Sequence, residues 1–162
     1  MENNRKRHFP LFINPKGLEV LVIGAGKIGT RRIKTLVKYD FNITVVSGHL
    51  SDELDECCAQ GQLSWVQGHF KEEILDLKEW FFVVACTDDK EVNDAIYRLC
   101  KDRDILVNCC DNVNHCDFYF PAVFINDPIS GGLVGDGSDH HLVSRAAKEV
   151  RKVIESIVDE RK

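Results

Sequence analysis

The sequence has no excess of positive charge. Its 21 Lys and Arg residues are outnumbered by 26 Asp and Glu residues, so the formal net charge is −5 and the pI is near 5.7. Binding to nucleic acids depends largely on neutralising phosphates with basic side chains, and this chain offers no general basic surface. We therefore expect no nucleic-acid partner.

Long apolar runs and paired cysteine motifs are also missing. No stretch approaches the roughly 18 uninterrupted apolar residues that a membrane-spanning helix needs, and no apolar segment of a secretory signal follows the polar start. The seven cysteines are an odd number, and none of them forms a CxxC motif. We expect a protein that is neither exported nor inserted in a membrane, with reduced thiols, in the cytoplasm.

The chain does contain a regular alternation of strand-like and helix-like segments as far as Cys110. Apolar runs predict five strands at residues 18–23, 42–46, 63–66, 81–86 and 105–110. Helical periodicity predicts helices at 26–38, 51–60 and 88–100, with Ser51 capping the second and Asp88 or Asp89 capping the third. Such alternation is typical of βαβ units, so the predicted fold is α/β with a Rossmann-type parallel sheet.

Beyond Asp111 the pattern changes. Phe118–Ile125 and Ile129–Val134 predict two extended segments joined by a turn at Asn126–Pro128, and a final helix is expected from Ser138 or Asp139. The alternating apolar side chains of the first segment form a stripe that could pack within the chain or against a second subunit. This part is a second, small structural element.

A GxGxxG motif, Gly24–Gly29, lies between the first predicted strand and the first predicted helix. In that context the first glycine permits a tight turn, the second lets a pyrophosphate approach the backbone, and the third allows close packing of helix and strand. The second predicted strand is followed by Ser47, Gly48 and His49 and lacks the acidic residue that usually binds the adenosine ribose. No arginine follows it to bind a 2′-phosphate, so we favour NAD over NADP.

A carboxylate, Asp111, follows the fifth strand at the edge where open α/β sheets hold ligands. It is a candidate acid or base, and the alternative is a solvated loop residue. Thr87–Asp89 also follow a strand end, but two adjacent aspartates before a helix are more often N-cap and first-turn residues than catalysts. The histidines do not show a three-ligand spacing, so no metal site is predicted.

Several of these segments together are similar to those of one family. In order along the chain they are FPLF at 9–12, the glycine motif with Arg31 and Arg32, VACTDD at 84–89 with Asn93, NCCD at 108–111, and CDFYFPA at 116–122. The chain resembles the precorrin-2 dehydrogenase / sirohydrochlorin ferrochelatase family, the N-terminal part of siroheme synthases. The likeness extends over roughly Phe9 to Ile154.

The resemblance implies an NAD-binding Rossmann domain at residues 9–112 and a homodimerisation and substrate segment at 113–162. It implies NAD-dependent oxidation of precorrin-2 to sirohydrochlorin, with Asp111 as the catalytic base. The expected cofactor-binding residues are Gly24, Gly26, Lys27, Ile28, Gly29, Ser47, Thr87, Asp88 and Asn108. The expected substrate-binding residues are Arg31, Arg32, Ser138, His141 and Arg145. The cations of the three arginines would pair with carboxylates of the tetrapyrrole.

Two alternatives stay open. The chain could be a bifunctional enzyme or a sirohydrochlorin ferrochelatase alone, although the family's serine- and glycine-rich turn is replaced here by Gly135–His141. It could also be a module that binds NAD(H) or a tetrapyrrole without catalysis, since Rossmann domains occur in regulators too. Turnover of precorrin-2 separates the enzymes from the binding module.

Overall fold

The structure is a computed structural model that describes residues 7–160. The chain forms two compact units, one of residues 13–118 and one that combines residues 7–12 with residues 119–160. Each unit is described by itself.

The larger unit is built on a five-stranded parallel sheet. Its strands are β1 (Glu19–Ile23), β2 (Asn42–Ser47), β3 (Ser64–Gln67), β4 (Trp80–Ala85) and β5 (Leu106–Cys109), in the spatial order β3-β2-β1-β4-β5. β1, β2 and β4 are mainly apolar runs because both faces of these strands are covered. The strand order is that of a Rossmann fold, so the predicted fold class is confirmed.

Three α-helices connect the strands: α1 (Lys27–Leu36), α2 (Asp52–Ala59) and α3 (Lys90–Asp102). Short 3₁₀ helices, which the sequence patterns did not predict, lie at Glu72–Asp76 and Val113–His115. α3 packs Ile96 and Cys100 against fully buried Val83 and Val107 of the sheet. Burying one such aliphatic side chain contributes about 1.5–3 kcal/mol, which explains why α3 is strongly amphipathic.

The predicted helix caps differ in outcome. Asp89 caps α3, because its carboxylate accepts hydrogen bonds from the backbone N–H groups of Glu91 and Val92. The prediction for Ser51 was wrong: it occupies the N-cap position of α2, but its hydroxyl makes no capping hydrogen bond. Acidic residues fill the first turn of α2 instead, where they interact favourably with the helix dipole.

Two of the seven cysteines are close enough to form a disulfide. Cys86 and Cys110, which directly follow β4 and β5, lie side by side with their Cα atoms 5.3 Å apart and their sulfur atoms in contact. The other five cysteines are free thiols. The pairing depends on the register of β4 against β5, which a pattern along one segment does not contain.

The smaller unit contains an antiparallel hairpin and a long helix. β6 (Ala122–Asn126) pairs with β7 (Ile129–Leu133), and α4 (His140–Asp159) follows. α4 packs on the hairpin, where Arg151 donates to the carbonyl of Val123 at 3.1 Å. The predicted turn and final helix are confirmed, with Asp139 as the N-cap.

The apolar side chains of α4 differ in their exposure. Val153 and Ile157 are exposed, whereas Ala147 and Val158 are buried. No helix within residues 7–160 is long and apolar enough to cross a membrane.

Candidate functional site

The carboxyl ends of β1, β4 and β5 meet at one edge of the sheet. The backbone hydrogen bonds continue one residue past the strands, from Cys86 N to the carbonyl of Ile23 at 2.8 Å and from Cys110 N to that of Ala85 at 2.9 Å. Three loops therefore begin side by side, at Gly24, Cys86 and Cys110. Ligands of open α/β sheets bind at this edge, where the strand order reverses.

Two positions in the glycine turn after β1 have no room for a side chain. Gly24 has φ +97°, and a Cβ there would lie 2.5 Å from the carbonyl oxygen of Cys86. A Cβ on Gly29 would overlap the carbonyl oxygen of Gly24. By contrast, a Cβ on Gly26 would meet no atom within 4 Å, so this glycine faces open space.

This arrangement fits a pyrophosphate. Gly26 is the N-cap of α1 and provides no capping side chain, and no acidic residue occupies the first turn of the helix. The first-turn N–H groups and the positive end of the helix dipole are thus available to an anion. The exposed residues Lys27 and Ile28 begin the helix beside this space. Gly24, Gly26 and Gly29 have the three roles that a dinucleotide-binding turn requires.

Ser47, predicted to contact the cofactor, is buried in the turn after β2. Its hydroxyl donates to the carbonyl of His49 at 2.8 Å and accepts from Trp65 Nε1 at 3.1 Å. These two hydrogen bonds stabilise the local structure, so they account for a serine at this position without a cofactor contact. The exposed residues Gly48 and His49 follow it, and neither supplies the carboxylate that usually binds the ribose.

A hydrogen-bonded cluster of Thr87, Asn93 and Asp111 joins the ends of β4 and β5. The side-chain amide of Asn93 donates to Asp111 Oδ2 at 3.0 Å and to the carbonyl of Thr87 at 3.1 Å. The amide oxygen of Asn93 accepts from the backbone N–H of Thr87 at 3.2 Å and from its hydroxyl at 2.7 Å. We call this group the Thr87–Asn93–Asp111 cluster.

Asn93 is nearly inaccessible, at 1% exposure, and all four of its side-chain hydrogen-bonding positions are used in the cluster. One oxygen of Asp111 is therefore held by a rigid donor while the residue itself is exposed. A carboxylate that is fixed but open to solvent is suited to accept a proton from a bound substrate. The sequence motifs included Asn93 without assigning it this role; its signal was a polar residue on the buried face of α3, three residues before Ile96.

The other predicted residues of the edge have different environments. Asp88 is exposed in the loop before α3. Asn108, at 4% exposure, donates from its amide to the carbonyl of Phe118 at 2.8 Å, which fixes the returning chain against β5. Asn108 was predicted to contact the cofactor, and in the structure its amide stabilises the chain segment that returns to β5.

Two arginines follow the glycine turn on α1. Arg31 is exposed, whereas Arg32 is half-buried. Burial lowers the pKa of Arg32, the neighbouring charge of Arg31 lowers it further, and an interaction with Cys116 opposes both effects. Arg31 is placed to reach an anionic substrate from the surface, and Arg32 is partly sequestered.

The remaining predicted substrate residues belong to the smaller unit. Ser138 donates to Asp136 through its hydroxyl and its backbone N–H, and His141 and Arg145 are exposed on α4. The side chain of His140 lies outside the described residues. Within the part of the chain that the structure describes, no group of three or more His, Cys, Asp and Glu side chains is placed to hold a metal ion.

The sheet order, the glycine turn and the edge cluster define a dinucleotide-binding protein of the Rossmann type. A family model described as "Putative NAD(P)-binding" matches residues 11–122. The matched residues include the glycine turn, the carboxyl ends of β4 and β5, and Asp111. It confirms the prediction of a nicotinamide dinucleotide, NAD, as the cofactor.

Curated proteins and a solved structure extend this result. The chain is 40% identical over 146 residues to "Probable multifunctional siroheme biosynthesis protein HemA" of Ruminiclostridium josui, covering 90% of this chain and 28% of that protein. It is 32% identical over 151 residues to the siroheme synthase of Photorhabdus laumondii, covering 93% and 31%. The solved structure of "SirC, precorrin-2 dehydrogenase" superimposes with a TM-score of 0.71 at 32% identity, covering 90% of this chain and 70% of that one.

The chain belongs to the family of the NAD-binding N-terminal part of siroheme synthases. It spans less than a third of the length of the two curated relatives.

Proposed function

We propose that this protein catalyses the NAD-dependent dehydrogenation of precorrin-2 to sirohydrochlorin. The observation that carries the proposal is the position of Asp111: a fixed, exposed carboxylate at the carboxyl edge of the sheet. It follows β5, and the neighbouring strand β4 ends at Cys86, which packs against the glycine turn. The similarity to a solved precorrin-2 dehydrogenase supports the choice of substrate.

The reaction removes a hydride and a proton from the reduced macrocycle. NAD⁺, when bound at the glycine turn, supplies the hydride acceptor. Asp111 accepts the proton, and Asn93 keeps the accepting carboxylate in place through the 3.0 Å hydrogen bond to Oδ2. Gly24 and Gly29 permit the tight turn and the close packing of helix and strand, Gly26 leaves the space for the pyrophosphate, and the N–H groups of α1 bind it.

Cationic side chains hold the tetrapyrrole through its carboxylates. Arg31 and Arg32 lie one turn into α1, so they can bind an anionic substrate beside the cofactor. In the smaller unit we assign Arg145 to the binding of substrate carboxylates, and Ser138 and His141 to hydrogen bonds with the substrate. Thr87, Asp88 and Asn108 stay proposed cofactor contacts at the ends of β4 and β5.

The test is anaerobic incubation of the purified protein with enzymatically generated precorrin-2, with and without NAD⁺, following the absorption of sirohydrochlorin and the formation of NADH. We expect equal amounts of both products, only when NAD⁺ is present. Binding of NAD⁺ and of the tetrapyrrole without product would contradict the proposal and favour a binding module. Insertion of Fe²⁺ into added sirohydrochlorin, faster than without protein, would reveal a chelatase.

We also propose a cytoplasmic homodimer. In the smaller unit, Leu142, Val153 and Ile157 are between 44% and 57% exposed on α4, and Phe9 of the N-terminal segment is 89% exposed. Apolar side chains so exposed are typical of surfaces that pair with another subunit. Light scattering of the eluted protein should give twice the mass of the 18.4 kDa chain, and a value of one chain mass at micromolar concentration would contradict the dimer.

A further inference from the structure

Cys86 and Cys110 occupy matching positions at the ends of neighbouring strands. Ala85 pairs with Cys109 in the parallel register of β4 and β5, so the next pair along the two strands is Cys86 and Cys110. Their Cα atoms are 5.3 Å apart, well within the range that a disulfide bridges, and their sulfur atoms are in contact. The register alone brings these two thiols together.

The pair lies on the face of the sheet that carries the glycine turn. A Cβ on Gly29 would lie 3.5 Å from the Cβ of Cys86, so Cys86 packs directly beneath that turn. Successive residues of a strand point to opposite faces, and Cys109 accordingly points toward α3, where its thiol contacts the carbonyl of Asn93 at 3.7 Å. In the Cys109–Cys110 dipeptide, only Cys110 can therefore react with Cys86.

The residues that follow the two cysteines are members of the Thr87–Asn93–Asp111 cluster. Thr87 follows Cys86 and Asp111 follows Cys110, and Asn93 bridges the two through hydrogen bonds. The strand ends are thus connected twice, once by the contact between the two sulfur atoms and once by the side chain of Asn93. Any change in the separation of the sulfur atoms acts one residue away from the proposed catalytic carboxylate.

We propose that Cys86 and Cys110 form a reversible thiol–disulfide site that controls the position of Asp111. Reduction replaces a covalent bond by a non-bonded contact, so the two sulfur atoms must move apart. Cys86 is 8% exposed and confined by Gly29, whereas Cys110 is half-buried and leads into irregular backbone. Cys110 therefore moves, and Asp111 moves with it. Disulfides of this kind in reducing compartments are usually transient and redox-sensing.

The chemistry needs a small disulfide as oxidant, for which oxidised glutathione is the probe. The more accessible thiolate, that of Cys110, attacks one glutathione sulfur and releases one glutathione thiolate. The thiolate of Cys86 then attacks the sulfur of Cys110 and releases the second. Two protein thiols lose two electrons and two protons, and one glutathione disulfide becomes two glutathione molecules.

The first experiment maps the thiols. The full-length chain is equilibrated anaerobically with defined ratios of reduced to oxidised glutathione, quenched with acid, alkylated and analysed by mass spectrometry. We expect two thiols to disappear together, at Cys86 and Cys110, in the wild type and in the control Cys57→Ser, but not in Cys110→Ser. Alkylation of both residues at every ratio, or a lasting glutathione adduct on Cys110, would overturn the proposal.

The second experiment tests the coupling to Asp111, which rests on the proposed function. Hydrogen exchange of a peptide spanning residues 107–116 is compared in the oxidised and reduced protein. We expect exchange to be about threefold or more slower in the oxidised wild type, with no difference in Cys110→Ser. Equal rates in the two wild-type forms would refute the coupling. Neither experiment uses precorrin-2 or NAD⁺, so a failure of the proposed dehydrogenation would be seen separately.

Discussion

The glycine turn and the Thr87–Asn93–Asp111 cluster lie on the same edge of one sheet, but they are built in opposite ways. The turn works because side chains are absent: Gly24 and Gly29 leave no room for a Cβ, and Gly26 leaves its space for a ligand. The cluster works because side chains are present, with a buried amide that uses all of its hydrogen bonds to hold one carboxylate. In the proposed function, the turn binds the cofactor through its backbone and the cluster takes part in the reaction through a side chain.

This difference separates binding from chemistry. Substitutions in the turn add atoms and should act through steric overlap or through the loss of cofactor binding. Substitutions in the cluster remove hydrogen bonds and should act through the placement of Asp111. The two kinds of effect can be measured independently, because urea unfolding and NAD⁺ titration need no tetrapyrrole.

The largest effect on stability is expected within the turn itself. Gly29→Ala should lower the free energy of unfolding by about 2–4 kcal/mol, because the new methyl group overlaps the carbonyl oxygen of Gly24. Gly26→Val should leave the free energy of unfolding within about 1 kcal/mol of the wild type but weaken NAD⁺ binding at least about tenfold. Urea unfolding and calorimetric titration measure both. Unchanged NAD⁺ affinity in Gly26→Val would mean that the turn is only structural.

Asn93→Ala should have the next largest effect. It removes the donor to Asp111 and leaves polar groups of Thr87 unsatisfied, so we expect a loss of about 1–3 kcal/mol in the free energy of unfolding. Turnover should fall by about tenfold, while the affinity for NAD⁺ stays near that of the wild type. If turnover were unchanged in protein that remains folded, the cluster would not position the carboxylate.

Thr87→Val should have a smaller effect. The substitution conserves volume and removes only the hydroxyl, whose single hydrogen has two acceptors within reach, Asn93 Oδ1 at 2.7 Å and the carbonyl of Asp89 at 2.9 Å. A loss of about 0.5–1.5 kcal/mol is expected, because the backbone N–H of Thr87 still bonds to Asn93. If Thr87→Val lowered the free energy of unfolding as much as Asn93→Ala does, the hydroxyl of Thr87 would be the main source of the cluster's stability.

Two buried thiols, those of Cys100 and Cys109, predict that the free energy of unfolding decreases modestly at alkaline pH. Burial raises the pKa of Cys100 and of Cys109 from the ordinary value of 9.0 to about 12. At a pH between 9 and about 12, the thiols of the unfolded chain lose their protons while those of the folded chain keep them. The free energy of unfolding therefore falls as the pH rises above 9.

We expect a loss of up to about 1 kcal/mol for each thiol between pH 8 and 10. Urea unfolding at the two pH values measures it, and Cys100→Val serves as the matched comparison because it removes one of the two groups. A decline as steep in Cys100→Val as in the wild type would exclude Cys100 as a source.

Much of the fold could be predicted because its signals are local. Apolar runs, the glycine motif and the polar residue after β5 gave the strands, the turn and Asp111 from neighbouring residues alone. The pairing of Cys86 with Cys110 could not be predicted in this way, because it depends on which strands are neighbours and in which register. The same limit applies to Asn93, whose partners Thr87 and Asp111 lie 6 and 18 residues away.

Ser47 and Ser51 show a second limit. Both were interpreted from their positions after a strand and before a helix, yet the first bonds within its own turn and the second does not cap α2. A hydroxyl has several partners of similar energy within reach, so its choice is decided by packing that the local sequence does not specify.

The most direct test compares Asp111→Asn with the wild type in the anaerobic precorrin-2 assay, with NAD⁺ affinity measured on the same preparation and Asp102→Asn as a control for the loss of one exposed carboxylate. The amide keeps the shape of Asp111 and removes its capacity to accept a proton. We predict that NADH formation falls by about 10²–10⁴-fold in Asp111→Asn, with NAD⁺ affinity unchanged and with Asp102→Asn equal to the wild type. Wild-type turnover in Asp111→Asn would contradict the assignment of the base to this edge of the sheet.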